Sequence, residues 1–580
     1  MKLLTCDRHG SSRSIDSINV RNRRYILLHS TFSNGGSMSK LPLILSVILF
    51  CIALVSAETA PSITLVPKGN YRTGIFADGA AEIVAFDPFT KRVFSVNGHD
   101  HTIDVLNISD ISNPQLLFSI DISVYGKSAN SVAVKHGILA AAVENDDKQA
   151  PGKLLLFQTW GQCRLIKNIE IGPLPDMVTF SPNGRYVLTA NEGEPDKKYT
   201  DDPEGSVTIV DLRFGPFYPI VHTATFTAFN DRIDELKTQG IRIFGPGASV
   251  AQDLEPEYIA VSRDSKKAWV TLQENNAIAV IDLKKAEVKK LIPLGYKDHM
   301  DPANKFDASN KDDQIYLNTW PVKGMYQPDA IASFSIRGKD YFITANEGDS
   351  RDYNGFSEEK RIKDITLDPI AFPQAASLQE NENLGRLKIT TTLGDADADG
   401  DFDELYAYGG RSFSIFSENG ELVFESGSLL EEITAEYLPD EFNSDNEENG
   451  SFDNRSDDKG PEPEGVTVGK LMGKTYAFIG LERIGGIMIF NVSNPAAPEF
   501  VDYVNTRDFS GDPEADEAGD LAPEGLEFIP AFLSPSGKPL VIAGYEVSGS
   551  VIVFEVQVNK PVFPKKYCNV KYGFKKRHCR

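Results

Sequence analysis

Five cysteines in 580 residues are too few to build a fold from disulfides. Cys6 and Cys51 lie in a segment expected to be removed. That leaves Cys163, Cys568 and Cys579, an odd number from which the sequence selects no pairing. Histidine is almost as scarce: eight are scattered along the chain, and His99 with His101 reads as a surface turn rather than a ligand pair. No zinc-type His or Cys spacing and no Ser/His/Asp arrangement is present to define a hydrolytic mechanism. Long hydrophobic runs are missing with one exception. Residues 41–55 are apolar, but about 15 residues fall short of the ~20 that span a bilayer. The run follows Met38-Ser39-Lys40 and precedes Val55-Ser56-Ala57, the pattern of a cleavable signal peptide.

The expected organisation is therefore an N-terminal extension at 1–37, a signal peptide at 38–57, a body at 58–558 and a basic tail at 559–580. The tail holds eight Lys and Arg and no acid. No transmembrane anchor is expected, and the tail lacks the hydrophobic run of a GPI signal. Four Asn-x-Ser sequons, at Asn107, Asn449, Asn454 and Asn491, fit a secretory route. The whole chain carries a formal charge of −24, and without its basic tail the body is more negative still. Nucleic acid is excluded as an expected partner; calcium ions, basic matrix proteins or calcium carbonate mineral suit this charge better.

Against these absences stands a repeat. Seven units of short runs rich in Val, Ile, Phe and Tyr recur, among them MVTFSPNGRYVLTANEG with SVTIVDL and YIAVSRDSKKAWVTLQEN with AIAVIDL. Turns such as Asn-Gly, Asp-Ser and Gly-Lys separate the runs. Seven sets of short antiparallel strands predict an all-β, seven-bladed β-propeller with long acidic loop insertions, because radial closure protects sheet edges. Ile63 to Val66 is the expected outer strand of the last blade. The fifth blade reads as split, with two strands near Pro328 to Glu347 and two at 411–426; if that joining fails, the count becomes eight. Residues 349–404, a helical stretch at 231–240, and 437–460 lie outside the repeat, the last expected to be disordered.

Aligned blades place acids at two recurring positions. Glu82, Asn130, Asp176, Glu257, Asp329, Glu464 and Glu524 stand at the entry to each first strand. Asn97, Glu144, Glu192, Glu274, Glu347, Glu482 and Glu546 stand at the end of each second strand. Antiparallel neighbours bring these positions to one axial face. So many carboxylates there must be protonated, hydrated or neutralised by a cation, and Ca²⁺, bound by six to eight oxygens, is the expected partner. A second acidic signal is Asp395, Asp397, Asp399, Asp401 and Asp403, with Gly400 sixth, as in the opening of an EF-hand loop. Its twelfth position is Tyr406 rather than a bidentate Glu, so a calcium-binding β-loop is expected at most.

ANEGE at 190–194, ANEGDSRDYNGF at 345–356, LGDADADGDFDELYAYGGRSFSIF at 393–416, PEPEG and LERIGGIMIFNVSNP together give a resemblance to the choice-of-anchor I propeller family. The resemblance implies a secreted or surface glycoprotein associated with calcified skeletal matrix, acting in biomineralisation. The family's anchor is a departure, since none is read here. Some bacterial relatives are labelled phosphatases or likened to phytases, which implies an alternative: a calcium-dependent phosphoric ester hydrolase with Arg351, Arg411 or Arg483 as anion contacts. A third reading is a protein-interaction propeller whose calcium is structural.

Overall fold

The structure, a computed structural model, describes residues 62–559. The leader, the basic tail, Cys568 and Cys579 lie outside these residues. Seven four-stranded antiparallel sheets follow one another, each pairing inner, second, third and outer strands in order. The inner strands are Val84–Asp87, Ala129–Lys135, Pro175–Phe180, Ile259–Val261, Ile331–Ile336, Pro463–Leu471 and Pro523–Ile529. Each touches the inner strand of the next blade, and the seventh touches the first, so the sheets close a ring around an axial channel.

The last blade takes its outer strand from the opposite end of the chain. Ser62–Arg72 pairs antiparallel with Ser550–Asn559, from Ser62 opposite Asn559 to Arg72 opposite Ser550. The fifth blade is split as expected: Ile331–Ile336 and Lys339–Asn346 are joined by Ser412–Ser417 and Leu422–Glu425. The count is seven.

Blades stack face to face, so both faces of the middle strands are covered. Tyr186–Asn191 and Ser206–Asp211 are buried at every position, whereas outer strand Ile220–Thr225 is mostly exposed. The core is accordingly a set of layers between blades. Between blades 4 and 5, Trp269 packs on Phe342 at 5.5 Å and Phe342 stacks on Phe416 at 5.2 Å between ring centroids. Pairs of this kind contribute about 0.5–1.5 kcal/mol beyond their buried area.

Two expectations about insertions are corrected. Residues 349–404 are not merely loop: Glu359–Arg361, Lys388–Thr390 and Tyr406–Ala407 join Tyr296–Asp298 and Lys323–Met325 in a five-stranded sheet. Phe306, Trp320, Ile362, Leu384 and Ile389 form its own core. Residues 437–460 are folded rather than disordered, with Asn443, Ser444, Asn446, Asp453 and Ser456 buried. Their polar groups bond internally, as when the Asn443 amide donates to Glu431 at 3.0 Å and to Ser456 at 2.9 Å. The stretch at 231–240 is helical as expected, over Ile233–Thr238.

Candidate cation site at the carboxylate face

The entry acids are aimed by local backbone geometry. Inner strands bulge between Ala129 and Ser131, Pro175 and Met177, Pro463 and Val466, and Pro523 and Leu526. A bulge re-aims a side chain out of the ladder. Asn130, Asp176, Glu464 and Glu524 thereby join Asp329 and Tyr258 around an axial cavity of about 230 Å³. Proline precedes five of the entry acids, at Pro175, Pro256, Pro328, Pro463 and Pro523. It is tolerated because Pro175, Pro463 and Pro523 begin their inner strands and Pro256 and Pro328 precede theirs.

Two acids of the second set, Glu192 and Glu347, follow a buried amide clamp. In blade 3 the Asn191 amide donates to Ser206 Oγ at 3.1 Å and Thr208 Oγ1 at 2.9 Å. In blade 5 Asn346 repeats the pattern with Ser412 at 3.1 Å and Ser414 at 2.8 Å. The clamp fixes each strand end one residue before Glu192 and Glu347. The next residue, Gly348, has φ +96° and would place a Cβ 2.2 Å from the Gly409 nitrogen, so the turn requires glycine.

Two carboxylate trios result. Glu192, Glu257 and Glu274 each offer an oxygen within 4.8 Å of the others'. Two oxygens on one Ca²⁺ at 2.3–2.6 Å can stand at most about 5 Å apart, so the trio fits direct coordination. Glu257 and Glu274 are each 6% exposed, and in both Oε2 is buried without a hydrogen-bond partner. Among the described residues no basic side chain forms an ion pair with any of the three. Arg351 lies nearby but is held by Asp253 at 2.6 Å and Glu255 at 2.9 Å.

The charge state reflects this isolation. Burial, with Glu194 and Asp176 adding repulsion, pushes Glu192 well above the usual carboxylate range. Burial and Glu274 do the same to Glu257. Glu274 rises through burial to about 7, with Arg351 pulling the other way. Around the axis burial raises Asp176 to about 7 and Glu82 to about 8, and it carries Asp329, Glu464 and Glu524 well above their ordinary values. A divalent cation removes the repulsion without requiring protonation.

The other trio, Glu347, Glu462 and Glu482, is likewise within 4.8 Å, but it contains its own cations. Lys459 Nζ lies 2.6 Å from Glu347 and 3.1 Å from Glu462. Arg483 lies 3.0 Å from Glu462 and 3.2 Å from Glu482. Glu347 and Glu482, both expected as cation ligands, are thus already paired.

In the EF-hand-like stretch the acids divide. Asp395, Asp397 and Asp399 form an exposed trio, while Asp401 and Asp403 meet Asp368. Asp368 is brought there beside the bridge between Leu367 and Phe402. The Asp395 carboxylate accepts from the backbone of Asp399 at 3.2 Å and Gly400 at 3.1 Å, so its oxygens are partly used in holding the turn.

The expected anion contacts are engaged within the protein. Arg351 is 1% exposed and sealed between two carboxylates. Arg411 donates to Glu431 and to the carbonyls of Asp307, Ser456 and Asp458. Arg483 serves the closed trio. Of the sequons, Asn454 is exposed, and Asn107 and Asn491 are half-buried. The Asn449 amide donates to the carbonyls of Asp508 and Gly511 at 3.0 and 2.7 Å, bonds that a glycan on that nitrogen would disrupt. Cys163 is a buried free thiol packed between blades 1 and 2.

Sequence reasoning did not identify Glu462, Asp368 or Lys459 as part of these clusters. Glu462 was visible only as the first acid of PEPEG; nothing in the sequence links Asp368 to Asp401.

Gigasin-3a of Magallana gigas is 33% identical over 192 residues, which is 31% of this chain and 67% of that protein. Mesenchyme-specific cell surface glycoprotein of Strongylocentrotus purpuratus is 27% identical over 322 residues, 47% of this chain and 40% of that one. Among solved structures, Kuenenia stuttgartiensis hydrazine synthase has a TM-score of 0.42 at 12% identity, covering 84% of this chain and 99% of that one. The Myceliophteria thermophila Cps50 (Swd1) propeller domain has 0.39 at 9%, covering 86% and 100%. Neither adds to what the seven sheets show. The choice-of-anchor I domain matches residues 82–495, from the first entry acid into blade 6, and the chain belongs to that family.

Proposed function

We propose that this protein is an extracellular, calcium-binding propeller glycoprotein of a calcified skeletal matrix, taking Ca²⁺ directly at Glu192, Glu257 and Glu274. The observation that carries the calcium reading is this trio: three convergent carboxylates, two of them with buried oxygens lacking any partner. Isolated buried charge of this kind is costly unless paired, and an oxygen-binding divalent ion is the pairing the donor set suits. Calcium carbonate and basic matrix proteins are the partners proposed on the strength of the excess acid. The extracellular setting is supported by the signal-like segment, the sequons and the likeness to a relative named as a cell surface glycoprotein.

Calorimetric titration of the full-length protein with Ca²⁺ tests the site. The wild type is expected to bind, and a Glu257→Gln, Glu274→Gln variant to lose affinity by about 100-fold, ~2.7 kcal/mol. Absence of calcium binding, or unchanged affinity in the variant, overturns the assignment. Adsorption to calcium carbonate particles tests the matrix role separately; a protein that binds Ca²⁺ and ignores the mineral would break that part alone.

A further inference from the structure

The face opposite the carboxylate mouth has an unrelated chemistry. In an antiparallel meander the loops joining inner to second strands and third to outer strands leave from the same edge. The loops between second and third strands leave from the other, which is the carboxylate edge. Phe532 sits in the inner-to-second loop of blade 7 and Phe89 in that of blade 1. Trp160 sits in the third-to-outer loop of blade 2, and Phe214, Phe217 and Tyr218 in that of blade 3. Every one is exposed, from 55% at Trp160 to 84% at Phe532. These four blades are consecutive around the ring.

Monomeric proteins leave single apolar side chains exposed everywhere, but six aromatics on one edge of four adjacent sheets call for a reason. The loops that carry them are held by local bonds: Gly215 donates to the Leu212 carbonyl at 2.8 Å, and Cys163 to the Trp160 carbonyl at 3.2 Å. The same edge is basic in a protein of charge −24. Lys91, Arg164, Arg213 and Lys538 are exposed in the aromatic-bearing blades, with Asp110 as an exposed acid among them. Blade 4 adds Lys284 and Lys285 at its own third-to-outer turn.

We propose that this edge is a peripheral docking surface for an anionic lipid bilayer. Exposed Trp, Tyr and Phe partition to the level of the lipid headgroups, and Lys and Arg nearby are drawn to anionic lipid. Among the described residues no helix is long and apolar enough to cross a membrane, so the contact is with the surface. Docked this way, the protein would turn its carboxylate mouth away from the bilayer, because like charge repels that face from anionic lipid.

Cosedimentation of the full-length protein with vesicles of phosphatidylcholine containing 30% phosphatidylserine tests this. It is done in EDTA, so that no calcium can bridge the carboxylate face to lipid and the outcome is independent of the calcium site. Binding is expected, with weakening at high salt and at least a tenfold loss in a Phe217→Ser, Tyr218→Ser, Phe532→Ser variant. These side chains are exposed, and an unchanged melting temperature verifies the fold. A Lys284→Glu, Lys285→Glu variant should bind more weakly while retaining the aromatic loops. Failure of the wild type to bind in EDTA, or undiminished binding by the aromatic variant, overturns the proposal. Self-association abolished by the same aromatic substitutions would assign the edge to a second copy and overturn it equally.

Discussion

The two buried carboxylate trios are built from corresponding parts and balanced in different ways. Each begins with Ala-Asn-Glu-Gly at the end of a second strand, clamped by an asparagine to the third strand. Each adds an acid near the next blade's entry and one from that blade's second strand. Between blades 5 and 6, residues 437–460 fold over the site and deliver Lys459. Between blades 3 and 4, among the described residues, no basic side chain forms an ion pair with Glu192, Glu257 or Glu274, and nearby Arg351 is held by Asp253 and Glu255. The carboxylate geometry thus comes from the propeller repeat, whereas the counter-charge comes partly from Arg483 in the blade 6 turn and partly, through Lys459, from an insertion outside the repeat.

The largest effect should come from breaking the internally balanced trio. Lys459→Met leaves Glu347 and Glu462 facing each other with only arginines at the rim, and removing one partner of a buried pair typically costs ~3–5 kcal/mol. Urea unfolding with and without saturating Ca²⁺ would measure it; a loss below about 1 kcal/mol would show that the ammonium does not balance the trio.

The pH response should separate the two trios next. Burial carries Glu274 and Asp176 to about 7 and Glu82 to about 8, above an unfolded value near 4. Groups raised in this way bind more protons folded than unfolded. Their stabilising share is present below about pH 4 and is lost as pH rises through 7 to 8. Glu462 runs the other way: burial would raise it, but Lys459, Arg483 and Arg455 outweigh burial and hold it well below the usual range. Its contribution is present above the unfolded value and lost only in strong acid. In EDTA the melting temperature is therefore expected to fall between pH 5 and 8, and saturating Ca²⁺ should remove much of that fall. Glu482, raised to about 8 by burial and Glu462, should leave a calcium-insensitive remainder. A melting temperature that rises with pH in EDTA would contradict this account.

Smaller changes sharpen the contrast. Glu347→Gln should alter calcium affinity by less than about threefold, because its oxygens already face Lys459 and Gln273. Asp397→Asn with Asp399→Asn, in an exposed loop, should shift the melting temperature by less than about 1 °C, since surface substitutions usually stay within ±0.5 kcal/mol. A larger calorimetric change in either case would assign calcium to those residues.

Much of the fold was legible because a repeat states its rule seven times. The alternating turns gave the blades, and the spare strand around Ile63 and the divided fifth blade fell into place from the missing strand in each. The entry and exit acids were legible as positions, since strand direction alone brings them to one face. Which acids converge was not legible. Glu462 rather than Glu464 completes the closed trio because the bulge after Pro463 turns Glu464 toward the axis. The insertion sheet was hidden because its strands are two or three residues long and its central pair, Lys323 with Tyr406, joins residues about 80 apart. Residues 437–460 misled through composition: Asn, Ser and Asp read the same whether they meet water or each other, and only the bonds around Asn443 and Ser456 distinguish the cases.

The pairing of Ser62–Arg72 with Ser550–Asn559 also governs when the protein can become whole. The two strands stand about 500 residues apart, and closing so long a loop must wait until the strand ending at Asn559 has left the ribosome. At about 5–20 residues per second the first strand waits for roughly half a minute to two minutes, beside blades whose unpaired edges invite other chains. Shielding during synthesis is thus a kinetic demand written into the position of a single strand.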